Sequence, residues 1–113
     1  MSIQTIESMA QWVEKNIAEN PSLRNMSSYV GYSPYYCSAK FREHMGMTYK
    51  QFLANCKLRA AANDLCVTYD KITDIALRYG YSSSESFSRA FSQAFQCSPR
   101  EYRKACGDPP DSP

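Results

Sequence analysis

Phe87, Phe91 and Phe95 stand four apart in "YGYSSSESFSRAFSQAF" (residues 79–95), a spacing that places them on one side of a helix. The opposite side then shows Ser84, Glu85, Ser88, Arg89 and Ser92. These side chains exchange hydrogen bonds, and one carries a guanidinium fork. A helix built to fill another protein's groove would show apolar residues there. Catalysis lacks its parts. His44 is the only histidine, the carboxylates are scattered, and no glycine-rich phosphate loop appears, so the sequence is not that of an enzyme and calls for no cofactor. Five cysteines (37, 56, 66, 97 and 106) include no CxxC pair. Zinc wants paired ligands at short spacing, so no metal is expected and the thiols read as small, reduced core or surface residues.

The elements that position these residues are helices almost throughout. Ile6, Ala10, Val13 and Ile17 step by four, three and four along an amphipathic first helix that ends near "ENPS". Ser22 caps a short helix carrying Leu23, Met26 and Val30, stopped at Gly31. Ser33-Pro34 supplies an N-cap and a proline at the first helical position, opening a helix that buries Cys37, Phe41 and Met45 and ends at Gly46. "TYKQ" (48–51) is a capping box that opens a long helix with Phe52, Leu58, Ala62 and Leu65 inward. Nothing in the body of the chain reads as a strand. The tail "GDPPDSP" reads as disordered.

Charge is unevenly spread. Residues 1–20 carry Lys15 against Glu7, Glu14 and Glu19, and the tail adds Asp108 and Asp111. The remaining 12 Lys and Arg lie in residues 21–106 against 6 Asp and Glu, a net +6 between acidic ends and a modest footprint for phosphate. No apolar run approaches the ~20 residues of a membrane span. The N-terminus has neither the basic start nor the apolar stretch of a secretory signal, which points to a reducing cytoplasm.

The chain also repeats itself. "MSSYVGYS" (26–33) superimposes on "IALRYGYS" (75–82) at an offset of 49. After one inserted residue the match resumes at 50, pairing Ser38 with Ser88, Phe41 with Phe91 and "TYKQF" (48–52) with "SPREY" (98–102). In each unit a short helix ends at a glycine, and a small residue (Ser27 or Ala76) four places earlier lets the next helix cross closely. Ser33 or Ser82 then starts that helix, and Glu85 fits either a capping box on Ser82 or an outward contact. This is the sequence anatomy of a helix-turn-helix, whose second helix enters the DNA major groove.

"GYSPYYCSAKF", "GMTYKQF" and "ITDIALRYGYSSSESFSRAFSQAFQCSPREYR" together resemble the DNA-binding domain of the AraC/XylS family of bacterial transcription regulators, over roughly residues 5–105. The resemblance implies an all-α fold of about seven helices. Its parts would be one helix-turn-helix subdomain over 1–47, a linking helix over 48–67 and a second subdomain over 68–106, before the tail at 107–113. It also implies a sequence-specific regulator, an activator working with RNA polymerase in the bacterial cytoplasm at the nucleoid. That regulator would bind double-stranded DNA as a monomer, each recognition helix entering one of two successive major-groove segments. The alternative is a helical protein-interaction or sensor module.

Carried over position by position, the first recognition helix offers Tyr35, Ser38, Ala39, Lys40 and Arg42, and the second Ser84, Glu85, Ser88, Arg89 and Ser92. Arg89 matches guanine O6/N7 and Glu85 cytosine N4, whereas Lys40 and Arg42 suit phosphate. Tyr36 is expected to pack on the linking helix, and Tyr35 to face the groove. The chain departs from the family pattern at Ala39 and Lys57, where arginine is usual, and at Cys97, where a small residue is usual. Most relatives carry an effector-binding domain as well; the sequence alone leaves open a stand-alone regulator or an excised domain.

Overall fold

The computed structural model describes residues 3–107, and among them every regular element is helical. Seven α-helices follow in order: α1 (Ile3–Lys15), α2 (Leu23–Val30), α3 (Pro34–Met45), α4 (Tyr49–Val67), α5 (Ile72–Arg78), α6 (Ser84–Phe95) and α7 (Pro99–Cys106). The chain divides into two compact units between Cys56 and Lys57, inside α4. Of the tail read as disordered, residues 108–113 lie outside the described residues.

Local chemistry accounts for most helix ends. Ser22 accepts from the Asn25 N–H at 3.0 Å, and the Asn25 side chain accepts in return from the Ser22 N–H at 3.1 Å. Ser33 accepts from the Tyr36 N–H with Pro34 in the first turn. Thr48 and Gln51 close the reciprocal box read from the sequence, at 2.9 and 3.1 Å, and Ser98 with Glu101 closes its equivalent, both bonds at 3.1 Å. The first helix is shorter than its periodicity suggests. The Asn16 side chain and backbone N–H both turn back to the Trp12 carbonyl, and Ile17 falls in a 3₁₀ turn, Ile17–Glu19.

The start of α6 corrects the sequence reading. Its N-cap is Ser83, not Ser82, and Ser83 accepts from the Ser86 N–H at 3.1 Å. Glu85 therefore completes no capping box. The residue that shifts the repeat from 49 to 50 lies just before this cap, since Gly31 pairs with Gly80 but Ser33 pairs with Ser83. Phe87 and Phe91 point fully inward, and Tyr81 lies against Phe87 with ring centroids 5.3 Å apart.

Each unit has its own core. In the first, Ile6, Met9 and Val13 of α1 and Met26 of α2 pack with Cys37 and Phe41 of α3 and with Tyr49, Phe52 and Cys56 of α4. The Tyr49 hydroxyl donates to the Pro21 carbonyl at 2.7 Å, and burial, with Cys56 nearby, pushes its pKa up to about 12. Met45 is only half-buried. In the second unit Leu58, Ala62 and Leu65 of α4 are buried as expected, together with Ile75, Ala76, Phe87 and Phe91. The repeat extends to ring packing. Phe41 meets Phe52 edge-on at 5.2 Å, and Phe91 meets Tyr102 edge-on at 5.4 Å.

One finding runs against the sequence reading of the cysteines. Cys66 and Cys106, expected as reduced thiols, are joined in a disulfide with Cα atoms 5.5 Å apart. The physical reason is that α7 returns to the end of α4. There the Arg103 guanidinium donates to the Leu65 carbonyl at 3.0 Å and the Thr68 carbonyl at 3.3 Å, bringing the two cysteines within bridging reach. Cys37, Cys56 and Cys97 form no disulfide among the described residues, and burial pushes the Cys37 thiol pKa up.

The repeat also exposes a locally unfavourable residue. Helix α3 ends at Gly46 with φ 72°, whereas α6 ends at Gln96 with φ 63°, a left-handed conformation that penalises a side chain. That penalty is about 1–2 kcal/mol, and glycine's greater unfolded-state freedom takes back about 0.5–1 kcal/mol. Gln96→Gly is thus expected to stabilise the protein by up to about 1 kcal/mol, although it removes the exposed Gln96 Nε2 bond to the Gln93 carbonyl. Chemical denaturation checks this; a variant less stable than the parent would show that the side-chain bond outweighs the backbone penalty.

Candidate nucleic-acid interface

Each unit sets a short helix against a longer one through a left-handed glycine. Gly31 has φ 82° and its N–H donates to the Ser27 carbonyl at 2.9 Å; Gly80 has φ 85° and its N–H donates to the Leu77 carbonyl at 3.1 Å. At Gly80 an added Cβ would meet only the Lys57 ammonium, at 3.6 Å, so conformation rather than space calls for glycine. Lys57 has its pKa lowered by partial burial. The small residues expected to let the helices cross, Ser27 and Ala76, are both buried, and the Ser27 hydroxyl donates to the Arg24 carbonyl at 2.9 Å.

Helix α5 is further held by a charged network that sequence reasoning missed. One guanidinium nitrogen of Arg78 donates to Asp64 and another to Asp70, each at 2.7 Å, and the Tyr79 hydroxyl donates to the same Asp64 oxygen at 2.7 Å. Asp70 has its carboxyl held below the ordinary range, chiefly by the Arg78 hydrogen bond. Burial first, and then the bond to Asp64, push Tyr79 up to about 12. The carboxylates are 8 and 14 residues from Arg78 in sequence, too far apart for local spacing to reveal the network.

On α6, Glu85, Ser88, Arg89 and Ser92 line one shallow surface, joined by Gln93, which the sequence reading omitted although it is one turn beyond Arg89. Arg89 makes no ion pair among the described residues. Ser84 is not part of that surface. It lines a neighbouring concavity with Lys71, Thr73, Ser88, Arg100 and Arg103, so Ser88 borders both.

On α3, Tyr35, Ala39 and Arg42 are exposed at helical spacing, Tyr35 at 86% of its surface, while Ser38 and Lys40 are half-buried. Lys40 pairs with Glu43 at 3.2 Å and sits 5.9 Å above the Tyr36 ring. Tyr36 itself stacks on Tyr32, with ring centroids 5.3 Å apart. The α3 face is therefore more aromatic and apolar than the α6 face. Hydrogen-bonding capacity is concentrated on α6, with Arg42 as the free-standing cation of α3.

A family model described as a helix-turn-helix domain matches residues 26–105. An uncharacterized HTH-type transcriptional regulator of Staphylococcus aureus is 37% identical over 105 residues, which is 93% of this chain but only 14% of that protein. The Transposon Tn10 TetD protein of Escherichia coli is 30% identical over 99 residues, 88% of this chain and 72% of that protein. Among solved structures, a transcriptional regulator from Chromobacterium violaceum, described as AraC-type DNA-binding domain-containing, is 27% identical. It superimposes with a TM-score of 0.86 over 94% of this chain and 95% of its own.

Proposed function

The chain belongs to the AraC/XylS-type helix-turn-helix family, and on that premise we propose that it is a sequence-specific DNA-binding transcriptional regulator. Helices α3 and α6 are its two recognition helices, each lying in one of two successive major-groove segments. They read an asymmetric site of about 20 base pairs, because two such segments lie one turn, ~34 Å, apart. One chain occupies the site, in the bacterial cytoplasm, and acts as an activator through RNA polymerase. The family and fold are those of DNA-binding transcription regulators rather than enzymes. No helix among the described residues is long and apolar enough to cross a membrane.

The observation that carries this reading is the face of α6. Fully buried Phe87 and Phe91 fix the helix from behind, leaving Glu85, Ser88, Arg89 and Ser92 together on a shallow outer surface with an uncommitted guanidinium. Arginine gives a bidentate contact to guanine O6/N7, glutamate accepts from cytosine N4, and serine pairs with several base edges. On α3 the Ala39 methyl suits a thymine methyl, and Arg42 suits phosphate.

The test is selection of binding sites from random duplexes with the purified protein, followed by titration. An asymmetric consensus bound by one chain is expected; a palindrome bound by two chains would overturn the monomeric reading. Arg89→Ala should lose about 1–3 kcal/mol on the selected site and relax the preference at one guanine. Its melting should stay close to the parent's, because exposed positions away from caps and core shift stability by no more than ~0.5 kcal/mol. If Arg89→Ala binds every duplex as the parent does, Arg89 reads no base.

A further inference from the structure

The concavity beside the reading face of α6 gathers three positive charges from two separate elements. Lys71 stands just before α5, while Arg100 and Arg103 lie on α7; Thr73 and the half-buried hydroxyl-bearing Ser84 and Ser88 complete its polar wall. No carboxylate lines it among the described residues. Of the acids beside its lining residues in sequence, Asp70 pairs with Arg78 and Glu101 accepts from the Ser98 N–H, while Glu85 lines the adjoining surface and Asp74 is exposed. Arg103 is held in place from behind by its bonds to the Leu65 and Thr68 carbonyls. The Cys66–Cys106 disulfide ties down the same end of α7.

The geometry points to a seat for a phosphodiester group of the DNA backbone, gripped by Lys71 and Arg100 with Arg103 and the hydroxyls behind them. This rests on the DNA-binding reading given above. Cations and hydroxyls converging without a carboxylate suit a tetrahedral oxyanion. The choice of backbone over a free anion comes from Ser88, which belongs both to this concavity and to the surface carrying Arg89. A strand whose bases meet Arg89 must carry its phosphates past the next surface along. Such a contact positions the helix and adds affinity without reading sequence.

The experiment uses the whole chain and the Lys71→Ala/Arg100→Ala double variant. Both residues are exposed, and neither side chain holds a described ion pair or hydrogen bond, so the melt should match the parent's. Arg103 is left intact because its replacement would also release the end of α4. Affinity is measured against salt on the selected duplex and on an unrelated one. Losing this one phosphate contact should make the slope of log K against log salt shallower by about 0.9. Both duplexes should weaken alike, with the preference between them kept, and Arg100→Lys in place of Arg100→Ala should restore most of the lost slope. A double variant with the parent's slope, in a parent that does bind specifically, overturns the seat and leaves the DNA reading standing. A parent that binds no duplex overturns both. The second arm measures melting with added inorganic phosphate at constant ionic strength. Stabilisation of the parent but not of the variant, with unchanged DNA slopes, would assign the seat to a free anion instead.

Discussion

Alanine at Phe91 is expected to remove about 3–5 kcal/mol of stability and to unfold the second unit. Phe91 is completely buried, and its ring centroid lies 5.7 Å from that of Phe87, 4.4 Å from Phe95 and 5.4 Å from Tyr102. Those rings reach it from both sides along α6 and from α7, so truncation opens a cavity that rigid aromatic neighbours cannot close. Small domains have only ~5–15 kcal/mol in total, so the loss is a large share of the whole. Phe41, equally buried and edge-on to both Tyr49 and Phe52, should show a comparable loss in the first unit. Urea denaturation followed by helical circular dichroism measures both. A loss below ~1 kcal/mol for Phe91→Ala would mean that α6 is not anchored through this ring, because core phenylalanine truncations cost several times more.

Raising salt from ~50 to ~200 mM is expected to weaken DNA binding by about 10³–10⁴-fold, since about 5–8 phosphate contacts give a slope near −5 to −7. Of the 12 basic residues between 21 and 106, Arg78 is committed to Asp64 and Asp70, and Arg103 partly to backbone carbonyls. The Lys40–Glu43 pair is exposed and leaves Lys40 available, because surface pairs are worth ~0–1 kcal/mol and yield readily to a phosphate. Binding isotherms at four or more salt concentrations supply the slope. A slope near zero would instead favour a helical protein-interaction module.

What the sequence determined by itself was whatever depends on near neighbours. The caps at Ser22, Ser33, Thr48 and Ser98 are bonds between residues three apart, and the buried faces of α3, α4 and α6 follow from a period of 3.6. The duplicated unit was legible for the same reason, because a glycine turn between two short helices is written in consecutive residues. The outer face of α6 was legible except for Gln93 and the departure of Ser84.

Only the tertiary structure decided the rest. Between Ser82 and Ser83, adjacent and chemically identical caps, the choice follows from the burial of Phe87 and Phe91, which sets the register of α6. The Arg78 network, the Arg103 bonds to the end of α4 and the Cys66–Cys106 bridge join residues 8 to 40 apart in sequence. The basic concavity gathers Lys71, Arg100 and Arg103 only because α5, α6 and α7 meet. Charge and hydrogen-bonding capacity are written along the chain, but which of those groups converge depends on how helices pack, and packing is settled by buried side chains far apart in sequence.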